Sequence, residues 1–251
     1  MSWTPSPKPP TWWEVAFYRF MRALMVGVSR IYLPGKVVGR ENLPKSGAYI
    51  VAPVHRSYVD WLIVARITTR RLRYIAKAEI WKSKFVGRTL ELLGCFPVNR
   101  SGADREALDR CRAVLVGGEP LVMFPEGTRR SGPVVEDLRE GVPYLALRAD
   151  VPVVPVGIGG SEKSMPRGSS FPRPRLVHVV IGKPILPDLA GDSGAEAGAG
   201  ARSGAAEPEG PADGTGKRAR VSRKATKAFS DRVAAGIQEV FDQADHLAKV
   251  R

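Results

Sequence analysis

Residues 48–54, Ala-Tyr-Ile-Val-Ala-Pro-Val, run into His55-Arg56-Ser57-Tyr58-Val59-Asp60 and then into the apolar stretch Trp61-Leu62-Ile63-Val64. An unbroken apolar run of this length, closed by a polar turn, reads as a strand buried on both faces. A second apolar stretch follows at once, and the spacing predicts a helix from Tyr58 to about Thr68. Strand, polar turn and helix together are the opening of a βαβ unit. Working outward, further strands are predicted at 72–76, 95–98, 121–124, 151–158 and 176–181. Helices are predicted over 105–117, ended by Gly117-Gly118, and over 143–149. Strands alternating with helices at this spacing place the chain in the α/β class, with a mostly parallel central sheet flanked by helices.

Residues 1–11 are polar and proline-rich and predict a disordered lead-in. From Thr11 to Tyr32 the pattern becomes helical: Trp12, Trp13, Phe17, Phe20, Met21, Leu24, Met25 and Val28 recur at spacings of three and four. Arg19, Arg22 and Arg30 interrupt the apolar face, so no run reaches the roughly 18 residues of a membrane span. There is no small-residue cleavage site of a secretory signal either. Two readings fit: an amphipathic helix packed on the core, or an interfacial one. The second is preferred, with Trp12, Trp13, Phe17 and Phe20 at headgroup level and Arg19 and Arg22 on phosphates. At the other end, residues 190–216 hold 8 Gly and 8 Ala and no Val, Ile, Leu, Met or aromatic residue, which predicts a flexible insert. Beyond it Ala225, Phe229, Val233, Ile237, Val240, Phe241 and Ala244 form a helical stripe expected to return to the core. The organisation is thus 1–35, lead-in and amphipathic helix; 36–189, α/β domain; 190–216, insert; 217–251, basic segment and final helix.

The 251 residues carry a net charge of +14, with 43% hydrophobic and 25% charged residues, which excludes wholesale disorder. Two cysteines, Cys95 and Cys111, exclude a disulfide scaffold, and no paired Cys-x-x-Cys offers a zinc site. The charge is unevenly placed. Residues 1–100 hold 17 Lys and Arg against 5 Asp and Glu, and the remainder holds 22 against 20. A basic half suits an anionic partner: nucleic acid, anionic lipid or a phosphorylated substrate; a merely solvated cationic face is the plainer alternative.

Neither a Gly-x-Ser-x-Gly elbow nor a Walker A loop is present. His178 falls mid-strand and His246 on the last helix, both expected to be structural, and three histidines make a metal site an unneeded assumption. His55 stands at a strand end, where α/β proteins place ligands. Ser57 and Asp60 have near capping-box spacing, so Ser57 as a helix cap with Asp60 at the positive end explains that pair. It does not explain His55. The other reading is a base held in one tautomer by the carboxylate. Two further strand ends are polar and cationic: Phe96-Pro97-Val98-Asn99-Arg100 and Phe124-Pro125-Glu126-Gly127-Thr128-Arg129.

In this order the pieces resemble the glycerolipid acyltransferase family typified by bacterial 1-acyl-glycerol-3-phosphate acyltransferases. The H-x4-D motif appears as His55 and Asp60, the second motif around Phe96 to Arg100 and the third as Phe124 to Arg129. The fourth is Val151-Pro152-Val153-Val154-Pro155-Val156-Gly157, and Lys77 matches a lysine common between the first two. The resemblance spans roughly residues 36–187. The Gly/Ala-rich insert has no counterpart in the pattern, and Val54 stands where asparagine is frequent. What the resemblance implies is acyl transfer from acyl-CoA or acyl carrier protein to the free hydroxyl of a lysophospholipid, without metal or other cofactor. His55 would be the base and Asp60 the stabiliser of its imidazolium. Glu126, Gly127 and Thr128 would shape the acceptor pocket, Arg100, Arg129 and Lys77 would hold phosphate, and Pro155 would shape the wall. Direct attack is expected over an acyl-cysteine, since neither thiol has a base beside it. The helix at 12–32 then gains a reason, as monotopic attachment to the cytoplasmic face of the cell membrane, with nucleic acid no longer needed as partner. Another acceptor, such as glycerol 3-phosphate or a glycolipid, keeps the same chemistry. A non-catalytic binder of anionic lipid or nucleic acid is the alternative of a different class.

Overall fold

A computed structural model describes residues 11–98, 105–136, 138–166, 168–187 and 223–250. Residues 1–10 of the lead-in expected over 1–11 and the insert at 190–216 lie outside the described residues, as does Arg100. The helices are α1 Trp12–Tyr32, α2 Asp60–Val64, α3 Lys84–Leu92, α4 Arg105–Val116, α5 Gly141–Ala149 and α6 Arg223–Lys249. The strands are β1 Val37–Val38, β2 Ile50–Pro53, β3 Arg73–Lys77, β4 Cys95–Val98, β5 Leu121–Val122, β6 Val153–Gly159 and β7 His178–Ile181. They form one sheet in the order β1-β7-β6-β2-β5-β3-β4, parallel throughout except for β6 against β7.

The continuous apolar runs are explained by burial. Every residue of β2 and of β6 is buried, so neither strand can alternate polar with apolar. In the register, Ala52 lies opposite Pro155 and Pro53 opposite Val156, while Ile50 pairs with Leu121 on the other side. From β2 the chain advances through α2 to β3 and through α3 to β4. It then returns through α4 to β5 and through α5 to β6. Right-handed crossovers in opposite directions put α2 and α3 on one face and α4 and α5 on the other. The contacts agree: α1 touches α2 and α3, and α5 touches α4 and α6. Neighbouring β2 and β5 therefore send their chains to opposite faces in opposite directions, and a crevice opens beyond their C-terminal ends.

Helix α6 is buried along the stripe Phe229, Val233, Ile237, Val240, Phe241 and Ala244 and packs on β6 and β7. Its close seat on β6 depends on two glycines. A Cβ at Gly157 would lie 2.0 Å from the Val240 carbonyl oxygen, and one at Gly159 2.0 Å from that of Ala244.

Three elements differ from the sequence reading. α2 is five residues long rather than spanning 58–68, because Arg66 and Ile67 turn back with tight i→i+3 bonds and Arg22 donates to the carbonyls of Ala65 and Thr68. Helix α3 and the edge strand β1 were not anticipated. β1 is only two residues long, paired to β7, and too short to leave a pattern.

Candidate active site

His55 leaves β2 at the crevice, just after Val54 has donated its N–H to Val156. Its Nδ1 lies 3.1 Å from Asp60 Oδ2; the His55 side chain is 20% exposed and that of Asp60 fully buried. The same Oδ2 accepts the backbone N–H groups of Arg56 and Ser57, both at 2.7 Å. Asp60, first residue of α2, thus reaches back to organise the turn that carries the histidine. The cap expected from Ser57 is not made. Its hydroxyl donates to the Met165 carbonyl at 3.0 Å, and the carboxylate does the turn-ordering instead. With Asp60 as a carboxylate and the imidazole neutral, the bond assigns the proton to Nδ1 and leaves Nε2 as a lone-pair nitrogen. The imidazole also packs on the Phe124 ring, centroids 4.1 Å apart.

The loop after β5 meets this turn through Glu126. Its Oε2 accepts the His55 N–H at 2.9 Å, and its Oε1 pairs with Arg56 Nη1 at 2.6 Å. Arg56 completes its fork on the carbonyls of Gly132 and Val134 and lies 5.0 Å from the Phe241 ring centroid. The carboxylate read as shaping a pocket is instead buried and taken by protein donors: Glu126 fixes the backbone at His55. Arg56, between the two motif residues, is a buried member of the site that the motifs alone do not single out. Nothing in the polar turn His55-Arg56-Ser57-Tyr58-Val59-Asp60 marks Arg56 as buried, so no local signal points to it. Gly127 has φ +67°, and a Cβ there would meet Arg139 Nε at 2.3 Å, so the turn after Glu126 needs glycine.

The remaining expected residues divide. Arg129 stacks on Tyr58, 3.1 Å from the ring centroid, which brings the third motif onto the His55 turn. Thr128 is exposed beside it. Lys77 ends β3, exposed, at the same edge of the sheet. Pro155 does not join them: it lines a cavity of about 860 Å³ between β6, β7 and α6, whose lining lacks His55, Asp60 and Arg129. On α1, Trp12, Trp13, Arg19 and Phe20 are exposed and Phe17 half-buried. Arg22 is turned inward onto the end of α2, so it cannot also face a membrane surface. Burial pushes the Cys95 thiol up to about 11 and the Cys111 thiol up to about 12, so both stay protonated near neutrality.

Residues 35–159, which hold His55, Arg56, Asp60, Lys77, Glu126 and Arg129, match the family model described as Acyltransferase. The chain belongs to the acyltransferase family. Among its relatives, the 1-acyl-sn-glycerol-3-phosphate acyltransferase of Bacillus subtilis is 28% identical over 151 residues, 60% of this chain and 73% of that one. The enzyme of that name from Chlamydomonas reinhardtii is 31% identical over 167 residues, covering 64% and 49%. The chain thus spans about half the length of some curated relatives it matches. The crystal structure of the 1-acyl-sn-glycerophosphate acyltransferase PlsC from Thermotoga maritima aligns with TM-score 0.63 at 24% identity, over 88% of this chain and 78% of that one. The likeness is one of fold. In this acyltransferase chain the family match ends with β6, so β7 and α6 lie beyond it. Phe241 of α6 nonetheless reaches Arg56.

Proposed function

We propose that this chain transfers an acyl group from a thioester, acyl-CoA or acyl carrier protein, to the free hydroxyl of 1-acyl-glycerol 3-phosphate, giving phosphatidate. The observation that carries the reading is the His55–Asp60 contact at the crevice between β2 and β5, within the family-matched segment. The names of the relatives supply the acceptor. His55 Nε2 takes the hydroxyl proton as the oxygen attacks the thioester carbonyl, and Asp60 stabilises the imidazolium. Collapse of the tetrahedral intermediate expels the thiolate, which recovers the proton from Nε2. Glu126 acts as a positioning residue through the His55 N–H. Arg129, with Lys77 and Arg100, is assigned to the acceptor phosphate. Gly127 and Thr128 border the acceptor, and the exposed face of α1 is assigned to the cytoplasmic membrane surface.

The test is release of thiol from acyl-CoA in the presence of lysophosphatidate, with the lipid product identified. His55→Ala is expected to lose about 10²–10⁴-fold or more in rate while keeping the fold, the usual worth of general-base help. Near wild-type transfer by that variant would remove the mechanism. Thiol release without an acylated lipid would point to a thioesterase. Salt-sensitive lipid binding with no thiol release would point to a non-catalytic binder.

A further inference from the structure

A second cationic feature lies apart from His55. Where α1 ends and β1 begins, a cavity of about 480 Å³ is lined by Arg30, Lys36, Arg40 and Arg66 among eight residues, none of them acidic. Arg66 is built into it. It is 3% exposed, and its Nη1 and Nη2 donate at 2.8 Å to the carbonyls of Leu33 and Gly35. Its Nε is buried without a hydrogen-bond partner. Arg40 donates to the Arg66 carbonyl at 3.1 Å, and Lys36 donates its N–H to His178 Nδ1 at 3.4 Å. Burial, with Arg30 and Arg40 close by, lowers the Arg66 pKa; burial, with Lys36 and Arg66, lowers that of His178. Among the described residues none of the four cations forms an ion pair with a carboxylate. A buried guanidinium ringed by like charges is ordinarily kept by a counter-anion.

We propose that this cavity is a second anion site, which takes the phosphate of an anionic membrane phospholipid. A phosphate offers acceptor oxygens to several cations at once, as guanidinium groups favour. A lipid is favoured over a free anion by what borders the cavity. Arg30 stands on the last turn of α1 between Ser29 and Ile31; Ile31 is 84% exposed, and Val28 and Tyr32 are exposed as well. A headgroup held by Lys36 and Arg40 would have its acyl chains beside that apolar helix end. This choice of source rests on the membrane assignment of α1 made above; the anion site itself does not.

The experiment is calorimetric titration of the full chain with dihexanoyl phosphatidylglycerol below its micelle concentration, and separately with inorganic phosphate. No bilayer is present, so its outcome is independent of whether α1 binds vesicles, and no acyl transfer is required. Saturable binding of the lipid, at least ~10-fold tighter than inorganic phosphate, is expected. Lys36→Glu and Arg40→Gln, both at exposed positions, should each weaken it at least ~10-fold. Arg129→Ala should not weaken it, and the first two variants should keep acyl transfer to detergent-dispersed lysophosphatidate. Equal affinity for inorganic phosphate would overturn the lipid assignment. Full affinity in Lys36→Glu, or loss in Arg129→Ala, would overturn the site.

Discussion

Arg56 and Glu126 are each 2% exposed, and a desolvated pair persists only when its remaining donors and acceptors are satisfied. Here all three guanidinium nitrogens donate, and both carboxylate oxygens accept. Glu126→Gln keeps the shape but leaves Arg56 an uncompensated buried charge. It is expected to cost roughly 3–5 kcal/mol, the usual penalty for breaking a buried pair, read as a lower urea midpoint. An unchanged midpoint would mean the pair is not structural. The thiols give the opposite expectation. With Cys95 and Cys111 protonated at neutral pH, replacing both by Ala should leave the rate of acyl transfer within about 2-fold and yield no trapped acyl-enzyme. At this scale His55 and Asp60 were legible because their spacing survives any fold. The role of Glu126 was not, since the residue that turns its carboxylate inward is 70 positions away.

Among the elements, α6 does more than close the core. Gln238 accepts the Val135 N–H at 2.7 Å and donates to the Pro133 carbonyl at 2.9 Å, holding the loop whose carbonyls receive Arg56. The final helix is thereby wired to the His55 turn. Its seat on β6 can be tested at Gly159, where an added methyl would meet the Ala244 backbone at 2.0 Å. Gly159→Ala should destabilise by at least about 1–3 kcal/mol, the range for overpacking, seen as a fall in Tm. A neutral result would mean that α6 sits farther from the sheet. The stripe on α6 was readable from helical spacing. Its reach to the site was not, because periodicity tells which face is buried and not what lies under it.

Across the whole molecule, many of the exposed large apolar residues lie on the layer of α1, α2 and α3, although Val116, Phe171 and Leu186 are exposed elsewhere. Trp12, Phe20, Leu24, Val28 and Ile31 lie open along α1, and Trp61 and Phe85 lie open on α2 and α3, the helices α1 touches. No helix among the described residues is long and apolar enough to cross a membrane. Docked on a bilayer as proposed above, such a face would gain roughly 1.5–3 kcal/mol for each large apolar side chain it buries. Phe20→Asp with Ile31→Asp should therefore cut partitioning onto phosphatidylcholine–phosphatidylglycerol vesicles by at least ~10-fold, measured by co-sedimentation. Because Phe20 and Ile31 are exposed, the Tm should hold. Unchanged partitioning would move the docking face elsewhere.

The α/β class, the buried central strands, the final helix and the motif residues were all fixed locally, by runs and spacings that mean the same thing in any context. The +14 charge was also visible, but only as a total. What tertiary structure alone decided is which cations do what. It turned Arg22 onto α2, buried Arg56 against Glu126, laid Arg129 on Tyr58 and gathered Arg30, Lys36, Arg40 and Arg66 around one cavity. The physical reason is that a charge is read from one residue, whereas its pairing and desolvation depend on groups that only the fold brings within a few ångströms.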